Sequence, residues 1–338
     1  MSESRQFYRD EQYEICRAQS TDEYRATWWN YMEDQEWNQH PSDLDSYANS
    51  LHEKSVILLL DRKQGDKIIG HIGLFAYDNA TGWISLFVVD PAYRGLGLGG
   101  KLLDAALSDA RNAGIKFLGL DSVPAQRQTY SRRGFVAAPR GIIKSLKRPI
   151  PDLAEREALR RAVAQDEKRD QLIDLRSISP PFLPKDLIGY ESTITGFTRP
   201  QLWSEEHMFQ RSDIAGWALE SSTTSSNATS YDGWVLLRQC SEGFGIGPLY
   251  AKDAQSAKLL LQAVMSQPDF EQASADGCLV AEVCESNEAT MTLFEGLGWD
   301  DSGDYFCRMW MDGNMPSQQT SGGEASKHVF AVFDAITG

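Results

Sequence analysis

The sequence lacks the residue patterns of several large protein classes. Its five cysteines include no C-x-x-C pair, so neither a zinc site nor a disulfide framework is expected, and we predict that no metal is bound. No stretch approaches the ~18 apolar residues of a membrane span, and the first residues carry charges where a signal peptide needs an apolar core. We therefore expect a soluble cytoplasmic protein without a membrane partner, the nucleus not being excluded.

Positive charge is also scarce. The 338 residues include 33 Lys and Arg against 48 Asp and Glu, which gives a formal net charge of −15. Nucleic-acid-binding proteins need a basic surface, so no nucleic-acid partner is expected. An acidic surface is compatible with a cationic or amine substrate. The length is enough for two domains of ordinary size, while the oligomeric state stays open.

The first 150 residues contain both helical and strand patterns. Residues 20–55 are interpreted as helices, and Trp28, Trp29 and Trp37 are close together there. β-branched and aromatic runs then predict three strands, followed by a glycine-rich loop, a helix, a strand and a short helix. The predicted strands cover residues 55–61, 67–77, 82–90 and 115–121. The first predicted helix follows the glycine-rich loop, has helical spacing from Leu102 to Ala110 and ends near Asn112–Gly114, and the short helix covers 125–135. This order predicts an α/β fold with a mixed, largely antiparallel sheet flanked by helices.

The second half repeats this order. Residues 233–240 and 243–251 are predicted strands, and a helix, a strand and a short helix follow over 253–265, 277–283 and 286–299. The spacing Tyr-x-x-x-Gly-Phe at Tyr130 has a counterpart, Phe-x-x-x-Gly-Trp, at Phe294. This similarity indicates an internal duplication. A charged helical segment and a proline-rich break separate the halves, so the predicted division is 1–150, a helical linker over 151–184, and 185–338.

The loop "VVDPAYRGLGLGG" has four glycines within six residues, between an apolar strand and an apolar helix. It satisfies G-x-G-x-x-G, and Asp121 lies about 20 residues further on, as in dinucleotide-binding folds. In those folds, however, the glycines follow the strand directly, whereas "DPAYR" intervenes here. A Walker A loop is excluded because Lys101 is not followed by Ser or Thr. Successive backbone N–H groups at a helix N-terminus can bind a pyrophosphate.

The stretch from Arg94 to Gly99 resembles the R-x-x-G-x-G pattern of the GNAT superfamily of acyl-CoA-dependent N-acyltransferases. The order of elements around it is similar to that superfamily too. With "EWN" at Glu36–Asn38 and the C-terminal segments, the chain resembles a two-domain GNAT subfamily over nearly its whole length. The resemblance implies tandem GNAT-like domains, catalytic over 1–150 and degenerate over 185–338, with acetyl-CoA as the acyl donor and an amine as the acceptor.

The resemblance assigns donor-binding roles to residues of one segment. Phe87, Val88 and Val89 would receive the pantetheine arm through their backbone. Arg94 is the arginine of the R-x-x-G-x-G motif. The side chain of Leu98 is expected to point into the core, while its backbone N–H would help to bind the pyrophosphate. The backbone N–H groups of the loop would bind the pyrophosphate, and they belong to Gly95, Leu96, Gly97, Leu98, Gly99 and Gly100.

The chemistry requires an acid for the leaving sulfur and a base for the amine, since an amine with a pKa of about 10.4 is mostly protonated at pH 7. The resemblance places Tyr130 as the acid. Asp121, Glu36 and His71 are the candidate bases, and of these we retain Asp121 and Glu36. Trp37, Asn38 and Gln126 are expected to contact the acceptor substrate, Gln126 alternatively the donor.

The second domain departs from the pattern. "GFGIGPLYAKDAQ" has no R-x-x-G-x-G, Pro248 lacks an N–H, and Phe294 has no hydroxyl where Tyr130 has one. We predict that this domain does not catalyse acyl transfer. The leading interpretation of the whole chain is an N-acetyltransferase that works through a ternary complex. The alternatives are a non-catalytic acyl-CoA-binding regulatory protein and a nicotinamide-dependent oxidoreductase.

Overall fold

A computed structural model describes residues 6–50, 56–177, 185–203, 208, 211–222, 230–267 and 277–338. These residues form two compact units. The first comprises the described residues up to Leu120 together with Thr337, and the second comprises the described residues of Asp121–Ile336 together with Gly338. Within the described part of the chain, no helix is long and apolar enough to cross a membrane.

The first unit contains a sheet with helices. The sheet runs in the order β1-β2-β3-β4-β5-β6, and its neighbours are antiparallel except for β5 and β6, which are parallel. The last two residues of β6 already count with the second unit. The strands are β1 (Gln6–Arg9), β2 (Tyr13–Arg17), β3 (Val56–Asp61), β4 (Lys67–Ala76), β5 (Thr81–Val89) and β6 (Phe117–Ser122); the helices are α1 (Thr21–Asp34), α2 (Asp43–Ser50) and α3 (Leu98–Asn112).

Helix α3 illustrates how local sequence sets an element of this unit. Leu102, Leu103 and Ala106 recur at helical spacing and are fully buried, and the helix contacts β3, β4 and β5. The helix ends at Asn112, and Gly114 follows with a φ of 72°. This is the left-handed backbone that glycine adopts most readily after a helix C-terminus.

The second unit contains a larger sheet. Its order is β13-β7-β12-β11-β10-β9-β8, with β14 paired to β11, and only β11 and β12 are parallel among these pairs. The strands are β7 (Phe135–Pro149), β8 (Leu172–Asp174), β9 (Ile214–Glu220), β10 (Tyr231–Cys240), β11 (Gly243–Ala251), β12 (Cys278–Cys284), β13 (Asp300–Met311) and β14 (Val329–Ala331); the helices are α4 (Arg127–Ser131), α5 (Leu153–Gln165), α6 (Lys185–Thr195), α7 (Ala254–Met265), α8 (Glu288–Glu295) and α9 (Ala325–His328).

The core of the second unit lies against α7. Leu259, Leu260, Leu261, Val264 and Met265 are all at most 1% exposed and belong to a cluster of buried apolar residues that also draws on β9–β12. The helix is amphipathic: Gln255, Lys258 and Gln262 recur at helical spacing on its more exposed face, while the apolar side chains face the core.

The units divide between Leu120 and Asp121 rather than at residue 150. The reason is β7, a 15-residue strand that pairs with β12 on one side and β13 on the other. No local pattern of residues indicates which strands β7 pairs with. The predicted linker over 151–184 contains α5, which packs against α7, and its last residues, 178–184, lie outside the described residues.

Candidate functional site

Strand β5 has a bulge at Leu86. Pairing with β4 passes from His71↔Val88 to Gly73↔Ser85, so Leu86 and Phe87 together face Ile72. Leu86 adopts a φ of 52° although it is a bulky residue and only 1% exposed. A left-handed leucine costs energy and tends to occur where function requires the geometry.

The segment predicted to receive the pantetheine arm lies just past this bulge. Parallel pairing with β6 covers Thr81–Trp83 of β5, and β5 continues to Val89 beyond it. Val88 is buried, whereas Phe87 and Val89 are partly exposed. The geometry therefore places the three predicted residues on a stretch of strand that extends past the β6 pairing.

The glycine loop combines left-handed backbone with open space. Gly95 and Gly97 have φ values of 81° and 76°, and a Cβ added to either would meet no atom within 4 Å. Arg94 folds back, since its Nε donates to the Val89 carbonyl at 2.9 Å. This bond ties the loop to the end of β5, while the glycines leave their backbone open to close approach.

Helix α3 begins directly after this loop without a side-chain cap. Its N-cap is Gly97, no side chain accepts from the first turn, and that turn holds no acidic residue. The first N–H groups of a helix lack intrahelical acceptors and carry partial positive charge, so such an end favours an anion. Leu98 is 3% exposed, which confirms that its side chain points into the core, and a Cβ added to Gly99 would lie in ordinary contact distance of the Phe87 and Val89 side chains.

The "EWN" residues form the C-terminal cap of α1. The Trp37 N–H donates to the Met32 carbonyl and the Glu36 N–H to the Glu33 carbonyl, which is a Schellman motif. Glu36 occupies the position where glycine is usual, with a φ of 53°, and its side chain is exposed. Trp37 and Asn38 are partly exposed, so a substrate contact for any of the three stays a prediction.

Tyr130 and Gln126 belong to the second unit. Tyr130 is 9% exposed, and its ring lies edge-on to Phe135 with centroids 6.0 Å apart. Burial raises the pKa of Tyr130, which keeps the hydroxyl protonated, as an acid must be before it acts. Gln126 is exposed, and its Oε1 accepts from the Thr129 hydroxyl at 3.1 Å.

Asp121 is held by an arginine of the same unit. Arg308 donates to both of its carboxylate oxygens, at 3.0 and 2.8 Å, and the Asp121 side chain is fully buried. Burial raises the pKa of Asp121, and the Arg308 charge opposes this shift. This bidentate ion pair indicates that Asp121 holds Arg308 in position, and it argues against Asp121 as a proton acceptor.

His71 lies under α1. It is 1% exposed, its Nδ1 lies 2.6 Å from the Leu86 carbonyl oxygen, and its ring centroid is 5.4 Å from that of Tyr31. Burial lowers the pKa of His71 to about 4, with the Leu86 bond opposing the shift. The ring is therefore neutral at pH 7, and a role for His71 as the base stays a prediction.

Sequence reasoning missed a second buried titratable group. The Glu282 side chain lies on the face of β12 opposite Leu279 and Ala281. Its Oε2 atom is buried without a hydrogen-bond partner among the described residues. Burial raises the pKa of Glu282 to about 8, and the nearby Asp334 and Asp121 add to this shift. A glutamate inside the apolar run "CLVAEVC" was the available signal. Among the described residues, no group of three or more His, Cys, Asp or Glu is arranged to hold a metal.

In the second unit, the segment around β14 lies between β11 and β12 at the point where these two parallel strands stop pairing with each other. Pairing of β11 with β12 covers Gly243–Gly245, and further along β11 pairs with β14. The Val332 N–H donates to the Glu282 carbonyl of β12, and the Asn287 amide donates to carbonyls in and before β14. Pro248 lies inside β11, so its missing N–H affects the pairing of that strand and not the start of the following helix, α7.

Comparisons with known proteins agree with both halves of this description. A model described as "Acetyltransferase (GNAT) family" matches residues 19–135, and one described as "Acetyltransferase (GNAT) domain" matches residues 208–321. Together these matches cover more than half of the chain. They fall within the first and the last of the three predicted segments.

Holothin acyltransferase of Pseudoalteromonas sp. (strain SANK 73390) is 23% identical over 212 residues, which is 62% of this chain and 62% of that protein. The crystal structure of a putative acetyltransferase from Pyrococcus horikoshii is similar with a TM-score of 0.68 and 15% identity over 100% of both chains. A tandem GNAT protein from the clavulanic acid biosynthesis pathway has a TM-score of 0.56 and 12% identity, covering 90% of this chain and 99% of that one. These likenesses confirm the tandem, mixed-sheet fold.

Proposed function

The chain belongs to the GNAT superfamily as a two-domain acyltransferase, and from this premise we propose that it transfers an acetyl group from acetyl-CoA to a primary amine. The amine attacks directly within a ternary complex. The observation that supports the donor is the uncapped start of α3 behind Gly95 and Gly97, both left-handed and both open to close approach. A diphosphate with its negative charge matches that set of N–H donors.

The donor-binding residues then divide by task. The N–H groups of Gly95–Gly100 hold the pyrophosphate, and Arg94 keeps the loop against the end of β5 through its bond to Val89. Phe87–Val89 bind the pantetheine arm with their backbone. Gly97 is the most sensitive of these positions because a side chain there would project into the space that the anion needs.

Acetyl-CoA supplies an activated thioester. Tyr130 donates its proton to the sulfur as the carbon–sulfur bond breaks, a task for which a raised pKa and a buried hydroxyl suit it. Glu36, which is exposed at the end of α1, contributes to acceptor binding with Trp37 and Asn38, and Gln126 to binding of either substrate. Asp121 maintains Arg308 in place.

We further propose that the domain over 185–338 does not transfer acyl groups. In this domain, strand β14 pairs with β11, one of the two parallel strands β11 and β12. Among the described residues of the first unit, no strand occupies the corresponding place beside the parallel strands β5 and β6. The helix after β11 is capped by Asp253, whose carboxylate accepts from the Ser256 N–H at 2.8 Å. A negative cap excludes an anion from this position.

The first experiment measures the melting temperature of the full chain with acetyl-CoA, CoA, NAD and ATP in parallel. Acetyl-CoA and CoA are expected to raise it selectively, since a ligand that binds the folded state stabilises it by mass action. Release of free thiol from acetyl-CoA is then followed with tyramine, glucosamine, spermidine and a peptide with an N-terminal glycine as acceptors.

The outcomes separate the candidates. Stabilisation by CoA ligands with amine-dependent thiol release supports the acetyltransferase. Stabilisation without release for any of the four amines favours the regulatory acyl-CoA-binding alternative. Stabilisation by NAD alone, or by none of the four ligands, would remove the support for an acyl-CoA site at the glycine loop.

A further inference from the structure

Resting on the proposed function, we infer that His71 accepts the proton of the attacking amine through its Nε2 atom. Three observations in the first unit carry the inference. The His71 side chain is 1% exposed. Its Nδ1 is bonded to the backbone of the β5 bulge. Its Nε2 has no hydrogen-bond partner among the described residues.

The bond at Nδ1 fixes the state of the ring. A carbonyl oxygen can only accept, so the Nδ1 atom, 2.6 Å from the Leu86 oxygen, must carry the proton. The neutral ring then presents a lone pair at Nε2. Holding one imidazole nitrogen as a donor so that the other can accept is how proteins select the tautomer of a catalytic or ligating histidine.

The orphaned Nε2 requires an explanation of its own. Most buried polar atoms have a hydrogen-bond partner, and an acceptor left without one costs about 1–3 kcal/mol. A buried histidine that served packing alone could be replaced by an apolar residue at lower cost. An N–H from a substrate would satisfy this lone pair, and a primary amine supplies one.

The position of His71 in the sheet connects it to the donor segment. It pairs with Val88 across β4 and β5, and the carbonyl that it holds belongs to the residue before Phe87. The bulge that bends β5 is therefore bonded to the imidazole at the point where the predicted pantetheine-binding stretch begins. The His71 ring thus contacts β5, the strand predicted to bind the pantetheine arm, through Nδ1, and its Nε2 is a hydrogen-bond acceptor close to this contact.

The proton and bond changes balance. The amine nitrogen forms a bond to the carbonyl carbon, the carbon–sulfur bond breaks, and the proton lost by nitrogen passes to Nε2. Tyr130 gives its proton to the sulfur. His71 and Tyr130 then exchange protons with water and return to their starting states. The products are an amide and free CoA.

The surroundings keep the ring uncharged until it acts. Leu58 on β3 and Val88 on β5 pair with His71, and Tyr31 is the titratable side chain of α1 in contact with it. Burial raises the pKa of Tyr31 to about 12, so this hydroxyl is neutral at physiological pH. Burial lowers the pKa of His71 to about 4, which leaves its lone pair available throughout the neutral range.

Two substitutions separate the two nitrogen atoms. His71→Asn places an amide N–H near the position of Nδ1, so it can keep the bond to Leu86, but it has no atom at Nε2. His71→Leu removes both functions at similar volume. The acceptor is whichever of tyramine, glucosamine, spermidine and the glycyl peptide has the highest kcat/KM with the unmodified protein.

For His71→Asn we expect kcat to fall on the order of 10²-fold, the usual size of a general-base contribution. The KM for acetyl-CoA and the thermal shift that acetyl-CoA produces are expected to stay unchanged. The kcat ratio of the unmodified protein to the variant should stay constant from pH 7 to pH 9, because His71 is neutral over this range and takes the proton only as the nitrogen–carbon bond forms.

A purely structural role gives a different pattern. In that case His71→Asn matches the unmodified protein, and only His71→Leu is impaired, through loss of the bond that holds the bulge. A kcat ratio that changes between pH 7 and pH 9 would also overturn the inference, since His71 does not titrate in this range. If acetyl-CoA binds but none of the four amines reacts, the amine acceptor of the proposed function fails first, and the inference fails with it.

A measurement on the unmodified chain covers the case in which a variant does not fold. The protein has five histidines, and ¹⁵N labelling of their rings reports the tautomer and hydrogen bonding of each. We expect the ring of His71 to have a protonated Nδ1 and an unprotonated Nε2 at pH 7. The Nδ1 of His328 also lies near a carbonyl oxygen, at 3.1 Å from that of Ala251, but its Nε2 is 3.2 Å from Glu324, which distinguishes the two rings. The Nε2 resonance of His71 should move when the reactive amine is added with CoA, and an unmoved resonance would contradict the inference.

Discussion

The two units use the same junction, a strand followed by a helix, to opposite electrostatic effect. In the first unit, β5 leads through Gly95 and Gly97 into α3, whose first turn has no side-chain cap and no acid. In the second unit, β11 leads directly into α7, and Asp253 caps that helix with its carboxylate. The first helix start is open to an anion, whereas the second already contains one.

The short helices of the two halves differ in the same direction. Tyr130 and Phe294 each precede a left-handed glycine by four residues, and each ring packs edge-on against the aromatic residue after that glycine. The packing is thus preserved while the hydroxyl is present in one copy and absent from the other. The comparison teaches that duplication kept the framework of both halves and left reactive groups in one.

The largest expected effect comes from removing the hydroxyl that distinguishes the two copies. Tyr130→Phe should lower kcat for acetyl transfer on the order of 10²-fold, because the leaving sulfur loses its proton donor. The KM for acetyl-CoA should change little. Steady-state thiol release with the reactive amine measures both constants.

Tyr190→Phe is the matched control for this substitution. Tyr190 is a tyrosine of the second unit whose pKa burial also raises, and its hydroxyl has no hydrogen-bond partner among the described residues. Its removal should leave kcat unchanged. Equal losses in the two variants would mean that the effect reflects packing, and an unaffected Tyr130→Phe protein would refute the acid role.

The second prediction transfers the cap of one unit to the other. Gly97→Asp gives α3 an acidic N-cap like that of α7, and aspartate tolerates the left-handed backbone required there. The carboxylate should compete with the pyrophosphate for the same N–H groups. We expect the KM for acetyl-CoA to rise by about tenfold or more, the range of a few such charge interactions.

Gly114→Asp controls for charge and backbone together. Gly114 lies after the other end of α3, with a φ of 72° and no atom within 4 Å of an added Cβ. Its substitution should leave the KM for acetyl-CoA unchanged, and Gly97→Asn should weaken binding less than Gly97→Asp. A Gly97→Asp protein with the original KM would place the pyrophosphate elsewhere.

Local patterns predicted most elements of both units but not their partners. The glycine loop, α3 and the β10–β11 hairpin follow from turn residues and apolar spacing over a few positions. The partner choice of β7 depends on strands more than 120 residues away in sequence, and no local pattern encodes it. The tautomer of His71 and the pairing of Asp121 with Arg308 are likewise set by tertiary contacts, so residue types alone could not predict them.

The third prediction contrasts the buried titratable groups of the two units. Burial keeps His71 neutral by lowering its pKa and Glu282 by raising its pKa to about 8, from 4.5 in an unfolded chain. Between pH 4.5 and 8, Glu282 carries a proton in the folded state that it has lost in the unfolded state. The contribution of Glu282 to stability should therefore decrease as pH rises from 4.5 to 8, whereas the contribution of His71, whose pKa is lowered from 6.5, increases from pH 4 to 6.5. Asp121, Asp334 and Arg238 are the charged groups near Glu282.

Glu282→Gln removes this proton linkage while keeping a similar shape. The variant should be more stable than the unmodified chain at pH 8, by on the order of a few kcal/mol, and the difference should shrink toward pH 5. Urea denaturation at a series of pH values measures it. A difference that does not vary with pH would show that Glu282 is ionised in the folded protein.

The smallest effect concerns the cap that the first unit lacks. Asp253→Ala should cost about 1 kcal/mol of unfolding free energy, because the N–H of Ser256 loses its acceptor. Burial opposes ionisation of Asp253, but the bonds from Ser256 outweigh it, and its pKa lies below 3.8 in the folded state. The stabilisation is thus present above that pH and is lost as the pH falls through the folded pKa, so the stabilities of the unmodified protein and Asp253→Ala should converge in acid.

If α7 has no role in donor binding, the thermal shift that acetyl-CoA produces is the same in the unmodified protein and in Asp253→Ala. A reduced shift would instead mean that the second helix start contributes to the donor site, and the contrast between the two units would be smaller than their caps indicate.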